Sequence, residues 1–180
     1  MLFRSLIGNL CFYGCTSLSS IYIPSSVMRI GNGCFFGCRN LTNVVIDPRN
    51  KRYAVDDGVI FNNEKNLIIF CLPSNRRESY SIPPSVTSIG MWCFSECTTL
   101  SSITIPTSIT RVDEWSFSRC ISLSSISLPS SVRWIEKWSF CGCSSLSSIV
   151  LPSSVDMIHE WCFAFCRSLS SISIPSSICV

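Results

Sequence analysis

Apolar positions along the chain recur neither every 3.6 residues nor in unbroken alternation; they recur every 23 residues. The register is read from Phe94, Phe117, Phe140 and Phe163. The same step relates Cys97, Cys120, Cys143 and Cys166, then Leu100, Leu123, Leu146 and Leu169, then Pro106, Pro129, Pro152 and Pro175. An earlier pair of units keeps it, with Phe12 and Phe35, Cys15 and Cys38, Leu18 and Leu41. Phe35 and Phe94 stand one period and an insertion of 36 residues apart, and the register resumes at Tyr80, Ile82, Pro83, Val86 and Ile89. Six units are visible, one carrying an insert.

Within one unit the apolar positions are Leu123, Ile126, Leu128, Val132, Ile135, Phe140 and Cys143. The spacing Leu-x-x-Ile-x-Leu predicts one short strand with alternate residues pointing inward, ended by Pro129, which cannot donate to a ladder. The Ser-Ser-Val and Trp-Ile-Glu that follow read as turns, and Ser-Phe-x-x-Cys as a short helical or 3-10 turn. One unit cannot stand alone. About seven inward side chains at roughly 1.5–3 kcal/mol each do not offset the ordering of about 23 residues at roughly 1.5 kcal/mol apiece. Coils must therefore stack, strand beside parallel strand, into a mainly β solenoid.

The units CTTLSSITIPTSITRVDEWSF and CSSLSSIVLPSSVDMIHEWCF resemble the BspA-like branch of the leucine-rich-repeat proteins, and the insert, IDPRNKRYAVDDGVIFNNEKNLIIFCLP, resembles that family's longer hairpin-bearing repeat. The resemblance covers essentially all of residues 1–180, read as a single domain with a hairpin-bearing insert at about 47–79. It departs from the pattern where Asp113, Glu136 and His159 replace a glycine, and where a tryptophan ladder precedes the phenylalanines. Because neither end shows a polar capping unit, a block cut from a longer array is expected. The resemblance implies a cell-surface or secreted, non-enzymatic scaffold that adheres to host or extracellular-matrix proteins; a cytoplasmic protein-interaction scaffold is the alternative.

Composition narrows the chemistry further. Serine supplies 36 residues while only 14% are charged, and the single histidine excludes paired-imidazole chemistry. A net charge of +3 is too weak for phosphate-backbone binding, so no nucleic-acid partner is expected. No run of 18 apolar residues occurs, which leaves no membrane span within this chain. The opening MLFRSLIGNLCFYGC falls in step with the repeat and reads as part of it, not as a leader.

The 13 cysteines include four C-x-x-x-C pairs, Cys11/Cys15, Cys34/Cys38, Cys93/Cys97 and Cys162/Cys166. Serine replaces the first member in other units, so packing is favoured over disulfides or zinc, and no metal or other cofactor is expected. His159 with Asp156 and Glu160 lacks any nucleophile elbow, and it occupies the Asp113 and Glu136 slot. The ladder Trp92, Trp115, Trp138 and Trp161 is expected to cover the convex side of the core, with a contact surface that Trp134 would join as the other reading. Outward strand positions Tyr22, Val45, Thr104, Ser127, Val150 and Ser173 make a nearly uncharged face. The insert, by contrast, holds 11 of the 25 charged residues. Candidate partner-binding residues are therefore Arg49, Lys51, Arg52, Asp56, Asp57, Lys65, Arg76, Arg77 and Trp134, on what should be a projecting hairpin. Asn40-Leu41-Thr42 is a lone glycosylation sequon, weak support for secretion.

Overall fold

The computed structural model describes residues 5–73 and 77–178. The first coils carry β1 (Ser5–Ile7), β2 (Ser20–Ile23), β3 (Val27–Ile30) and β4 (Asn43–Ile46). The insert carries β5 (Tyr53–Asp56), β6 (Val59–Asn62) and β7 (Leu67–Cys71). The remaining coils carry β8 (Ser79–Ser81), β9 (Ser88–Ile89), β10 (Ser102–Thr104), β11 (Arg111–Val112), β12 (Ser125–Ser127), β13 (Trp134–Ile135), β14 (Ser148–Val150) and β15 (Met157–Ile158).

The solenoid expected from the period is observed, with like residues paired in register 23 apart: Ser102 with Ser79, Ser125 with Ser148, Ile126 with Ile149. Each regular coil has two strands where the pattern suggested one. β8, β10, β12 and β14 form one parallel sheet, and β11, β13 and β15 form a second. Trp-Ile-Glu is thus not a turn: Trp134–Ile135 is β13, with Ile135 buried and Trp134 facing outward. A two-residue strand is too short to show period-two alternation, which hid it from the sequence.

The Ser-Phe-x-x-Cys segment is not helical either. It is a run of tight turns, with Cys97 N donating to Phe94 O and Leu100 N to Cys97 O, both at 3.1 Å. Residues of left-handed conformation break the run twice per coil, at Trp115 (φ 59°) and Arg119 (φ 59°) in one coil, Trp138 (φ 61°) and Gly142 (φ 76°) in the next. Two αL residues in five forbid a continuing helix.

Inside, Phe94, Phe117, Phe140 and Phe163 form a stack with ring centroids 5.3–5.6 Å apart, the first three fully buried. The polar ladders stitch coil to coil. Ser108, Ser131, Ser154 and Ser177 hydroxyls donate to carbonyls of the preceding coil at 2.5–2.8 Å. Cys120, Cys143 and Cys166 donate their thiols to the carbonyls of Phe94, Phe117 and Phe140 at 3.1–3.2 Å. These cysteines therefore do more than pack, because each thiol donates across coils to a carbonyl that also accepts a backbone N–H of its own turn, as Phe94 O accepts from Cys97 N. All twelve described cysteines are free thiols. Burial pushes the Cys120 and Cys143 thiols far above the usual range. A thiol reagent such as DTNB is accordingly expected to label Cys11 and Cys15, which are exposed, in the native protein and the buried thiols only after denaturation. Rapid native labelling of Cys120 or Cys143 would contradict the packing.

The insert is not a projecting hairpin. β6 pairs antiparallel with β5 and with β7, and β7 runs parallel to β9. Its side chains alternate between two cores: Ile60 and Phe70 join the cluster of the first coils, whereas Val59, Phe61, Ile68 and Cys71 join the larger one. Phe70 packs its ring against Phe35 of the first coils, 5.5 Å away and tilted by 50°. The insert is a seventh, irregular coil.

Candidate functional site

The charged residues of this seventh coil pair largely with one another. Arg49 grips Asp47 through two bonds of 3.1–3.2 Å, and Tyr22 donates to the same carboxylate at 2.9 Å. The Arg49 guanidinium, aided by the Arg49 backbone N–H and the Tyr22 hydroxyl, holds Asp47 well below the usual carboxylate range. Lys65 pairs with Asp56 at 2.8 Å, Arg77 pairs with Asp57, and the Arg77 guanidinium lies 4.6 Å from the Tyr80 ring centre. Arg52 edges a shallow pocket with Met28, Tyr53 and Met91, while Lys51 is exposed. Arg76 lies outside the described residues. Trp134 is on β13, the middle strand of the second sheet, half-buried near the guanidiniums of Arg111 and Arg133, 5.6 and 5.9 Å from its ring centre. Among the described residues, Trp134 lies apart from the candidates in the insert, and local pairing engages Arg49, Asp56, Asp57, Lys65 and Arg77.

A different surface is assembled by the turns. Tyr13, Phe36, Trp92, Trp115, Trp138 and Trp161 follow one another with ring centroids 4.8–6.3 Å apart. The tryptophans do not cover the core as expected: they belong to neither apolar cluster, and their rings lie nearly parallel, 2–12° apart, against each other. All four have φ between 58° and 63°. At the same repeat position an earlier coil has Gly33 at φ 60°, where a Cβ would come within 2.9 Å of the Trp92 ring. Holding a bulky residue in this region costs about 1–3 kcal/mol, while each stacked pair returns about 0.5–1.5 kcal/mol. Stacking alone does not offset the strain of four such residues, and the apolar area that Trp92, Trp115 and Trp138 half-bury adds to what holds the ladder in place.

Beside the stripe runs a groove of about 630 Å³. Trp115, Trp138, Arg119, Ile121, Phe165 and Arg167 line it, together with Ser118, Cys141, Tyr13 and Phe36. Phe165 is 63% exposed, and no carboxylate among the described residues lines the groove. Glu96, adjoining it, is 5% exposed and is held by Arg39 at 2.9 Å and Arg119 at 3.4 Å. Arg119, Phe165 and Arg167 were not singled out from sequence. The available signal was the column Gly14, Gly37, Glu96, Arg119, Gly142, Phe165, where glycine alternates with large residues and so marks a strained, outward position.

Asp113, Glu136 and His159 form a column at the end of the second sheet, with His159 Nε2 3.3 Å from Glu136 Oε2 and Arg111 Nε 3.8 Å from Glu136 Oε1. Burial, with Glu136 and Glu114 nearby and against the pull of Arg111, pushes Asp113 up to about 6. An acid whose folded pKa is raised binds more protons native than unfolded, so stability falls as pH rises from about 4 to about 6. Asp113→Asn should remove that fall and raise stability at pH 7 by about 1–3 kcal/mol. Parallel stability–pH curves for the two proteins in urea unfolding would contradict it.

A family model described as a BspA type leucine rich repeat region matches residues 5–81 and 71–179, in six copies. Among solved structures, a leucine rich cell surface protein from Faecalibacterium prausnitzii is 30% identical with a TM-score of 0.75, covering 92% of this chain and 50% of its own. A leucine-rich repeat protein from Bacteroides ovatus is 25% identical with a TM-score of 0.60, covering 96% of this chain and 47% of its own. The pneumococcal vaccine antigen PcpA, 19% identical with a TM-score of 0.73, covers 97% of this chain and 53% of its own and shares the fold. This chain thus spans about half the length of these structures. No curated protein sequence matches it significantly. No helix of the described residues is long and apolar enough to cross a membrane. With six repeat copies spanning nearly its whole length, the chain belongs to the BspA-type leucine-rich-repeat family.

Proposed function

We propose that the chain is a non-enzymatic protein-binding scaffold displayed at the cell surface, where it mediates adhesion to host or extracellular-matrix proteins. The observation that carries this reading is the aromatic and arginine stripe, half-buried at Trp92, Trp115 and Trp138 and exposed at Tyr13, Trp161 and Phe165, built on left-handed backbone on a fold shared with a bacterial cell-surface protein. Tryptophan, tyrosine and arginine are the side chains that most often dominate protein interfaces. The residues that could suggest catalysis have ladder roles instead, His159 pairing with Glu136 in the column described above.

Antibody raised against the chain should label intact, non-permeabilised cells, and the purified chain should bind saturably to at least one member of a panel of extracellular-matrix proteins. Labelling only after permeabilisation would favour the intracellular scaffold, a reading that the 13 cysteines support if they stay reduced. Surface labelling without any saturable matrix binding would overturn the adhesive part.

A further inference from the structure

We propose that the groove lined by Trp115, Trp138, Arg119 and Arg167 is the partner-binding site, and that it takes an extended, acidic polypeptide segment with interspersed aromatic side chains. The proposal deepens the protein-binding reading and rests on it. Three observations select this ligand chemistry.

The first is the direction in which the rings face. Trp115 and Trp138 lie inside a ladder whose rings are parallel within 2–12°, so both of their faces are covered by neighbours and they offer the groove ring edges, while the outer face of Trp161, 59% exposed, ends the ladder away from the groove lining. An aromatic edge is the positive rim of the ring quadrupole. Such a wall attracts carboxylates and the negative faces of other aromatics, whereas sugar rings need open aromatic faces on which to stack.

The second is the balance of charge and hydrogen-bonding groups. Arg119 and Arg167 line the groove without a facing carboxylate, and Arg167 makes no ion pair among the described residues. Arg119 shares Glu96 with Arg39, which leaves more guanidinium donors than this one carboxylate can accept. Ser118 is among the lining residues, and its hydroxyl is buried without a hydrogen-bond partner among the described residues. Buried polar groups are rarely left so. The groove therefore offers donors and asks for a ligand rich in acceptors.

The third is shape. Trp115 and Trp138 line the groove within a longer ladder, and coils spaced about 4.8 Å apart give the four rings of that ladder a span that accommodates roughly five extended residues. Alternation of acidic and aromatic residues along such a segment would set carboxylates toward Arg119 and Arg167, and rings toward the tryptophan edges and Phe165.

The backbone geometry supplies a test that separates binding from folding. Gly33 already occupies the tryptophan position at φ 60°, so Trp138→Gly relieves strain while deleting the ring, and it should leave Tm within about 3 °C. Arg167→Gln removes a charge that makes no ion pair and should be equally mild. A fluorescein-labelled random copolymer of glutamate and tyrosine serves as probe, titrated by anisotropy against the full chain. Saturable binding that weakens with salt is expected, with each variant lowering affinity at least about tenfold.

Absence of saturable binding, or variants that bind as well as the parent, would overturn the assignment. Poly-lysine binding equally well would overturn the charge argument. Tighter binding of a sulfated polysaccharide with the same dependence on Arg167 and Trp138 would make the ligand an anionic glycan and overturn the peptide assignment. If the variants instead keep full binding to a matrix protein that the parent binds, the adhesive reading stands and only the groove is wrong.

Discussion

Replacing Phe140 by alanine is expected to cost about 3–5 kcal/mol, enough to unfold several coils of a molecule whose total stability is of ordinary size. Phe140 is fully buried, and its ring lies between Phe117 and Phe163 at 5.3 and 5.6 Å. Deleting it opens a cavity that neither neighbour can fill, because both are fixed by their own coils through ladder bonds such as Phe117 N to Ser139 O at 2.8 Å. Its carbonyl also accepts the Cys166 thiol at 3.2 Å, so backbone relaxation would strand a second group. In a stacked array stability is approximately a sum of coil and nearest-neighbour terms, and a lesson in one coil breaks two interfaces. Urea unfolding of Phe140→Ala would measure the loss. A cost below about 1 kcal/mol would mean that the stack contributes far less than its burial implies.

The repeat period carried nearly all of the regular architecture, because ladder positions impose the same residue type in each coil and the Phe, Leu and Cys columns are visible without coordinates. What escaped depends on geometry that no period encodes. The left-handed backbone at Trp92, Trp115, Trp138 and Trp161 places these rings outside the core, although the same residues in ordinary conformation would be sound core material. Charge density pointed to residues 47–79, yet ion pairs at Arg49 and Asp47, and at Lys65 and Asp56, direct those charges at each other. The groove was harder to find, since Arg119 and Phe165 share a column whose residue type changes from coil to coil, Arg167 comes from another, and the three meet only when coils stack. The role of the insert was legible in part. Val59-Ile60-Phe61 and Leu67 to Leu72 are unbroken apolar runs, and a strand buried on both faces reads that way, whereas a projecting hairpin would alternate.

That two-sided burial leads to the other large effect, expected for Phe70→Ala. Ile60 and Phe70 are directly paired across β6 and β7 and face the core of the first coils, while the neighbouring pairs Val59 with Cys71 and Phe61 with Ile68 face the core of the later ones. The first coils have few buried residues of their own, and Ile60, Phe70 and Leu72 supply a substantial part of their apolar cluster. Removing the Phe70 ring, which sits 5.5 Å from Phe35, should cost about 3–5 kcal/mol and should fall almost entirely on residues 5–46. Amide hydrogen exchange is then expected to show protection lost across β2, β3 and β4 while β10, β12 and β14 stay protected, because the larger cluster retains Val59, Phe61 and Ile68. Phe61→Ala provides the mirror experiment, with the loss directed to the coils that follow the insert. If Phe70→Ala leaves exchange in β2 to β4 unchanged, the insert does not act as the wedge joining the two cores. A uniform loss over the whole chain would instead mean that the solenoid unfolds as a single unit and that its two clusters are not separable.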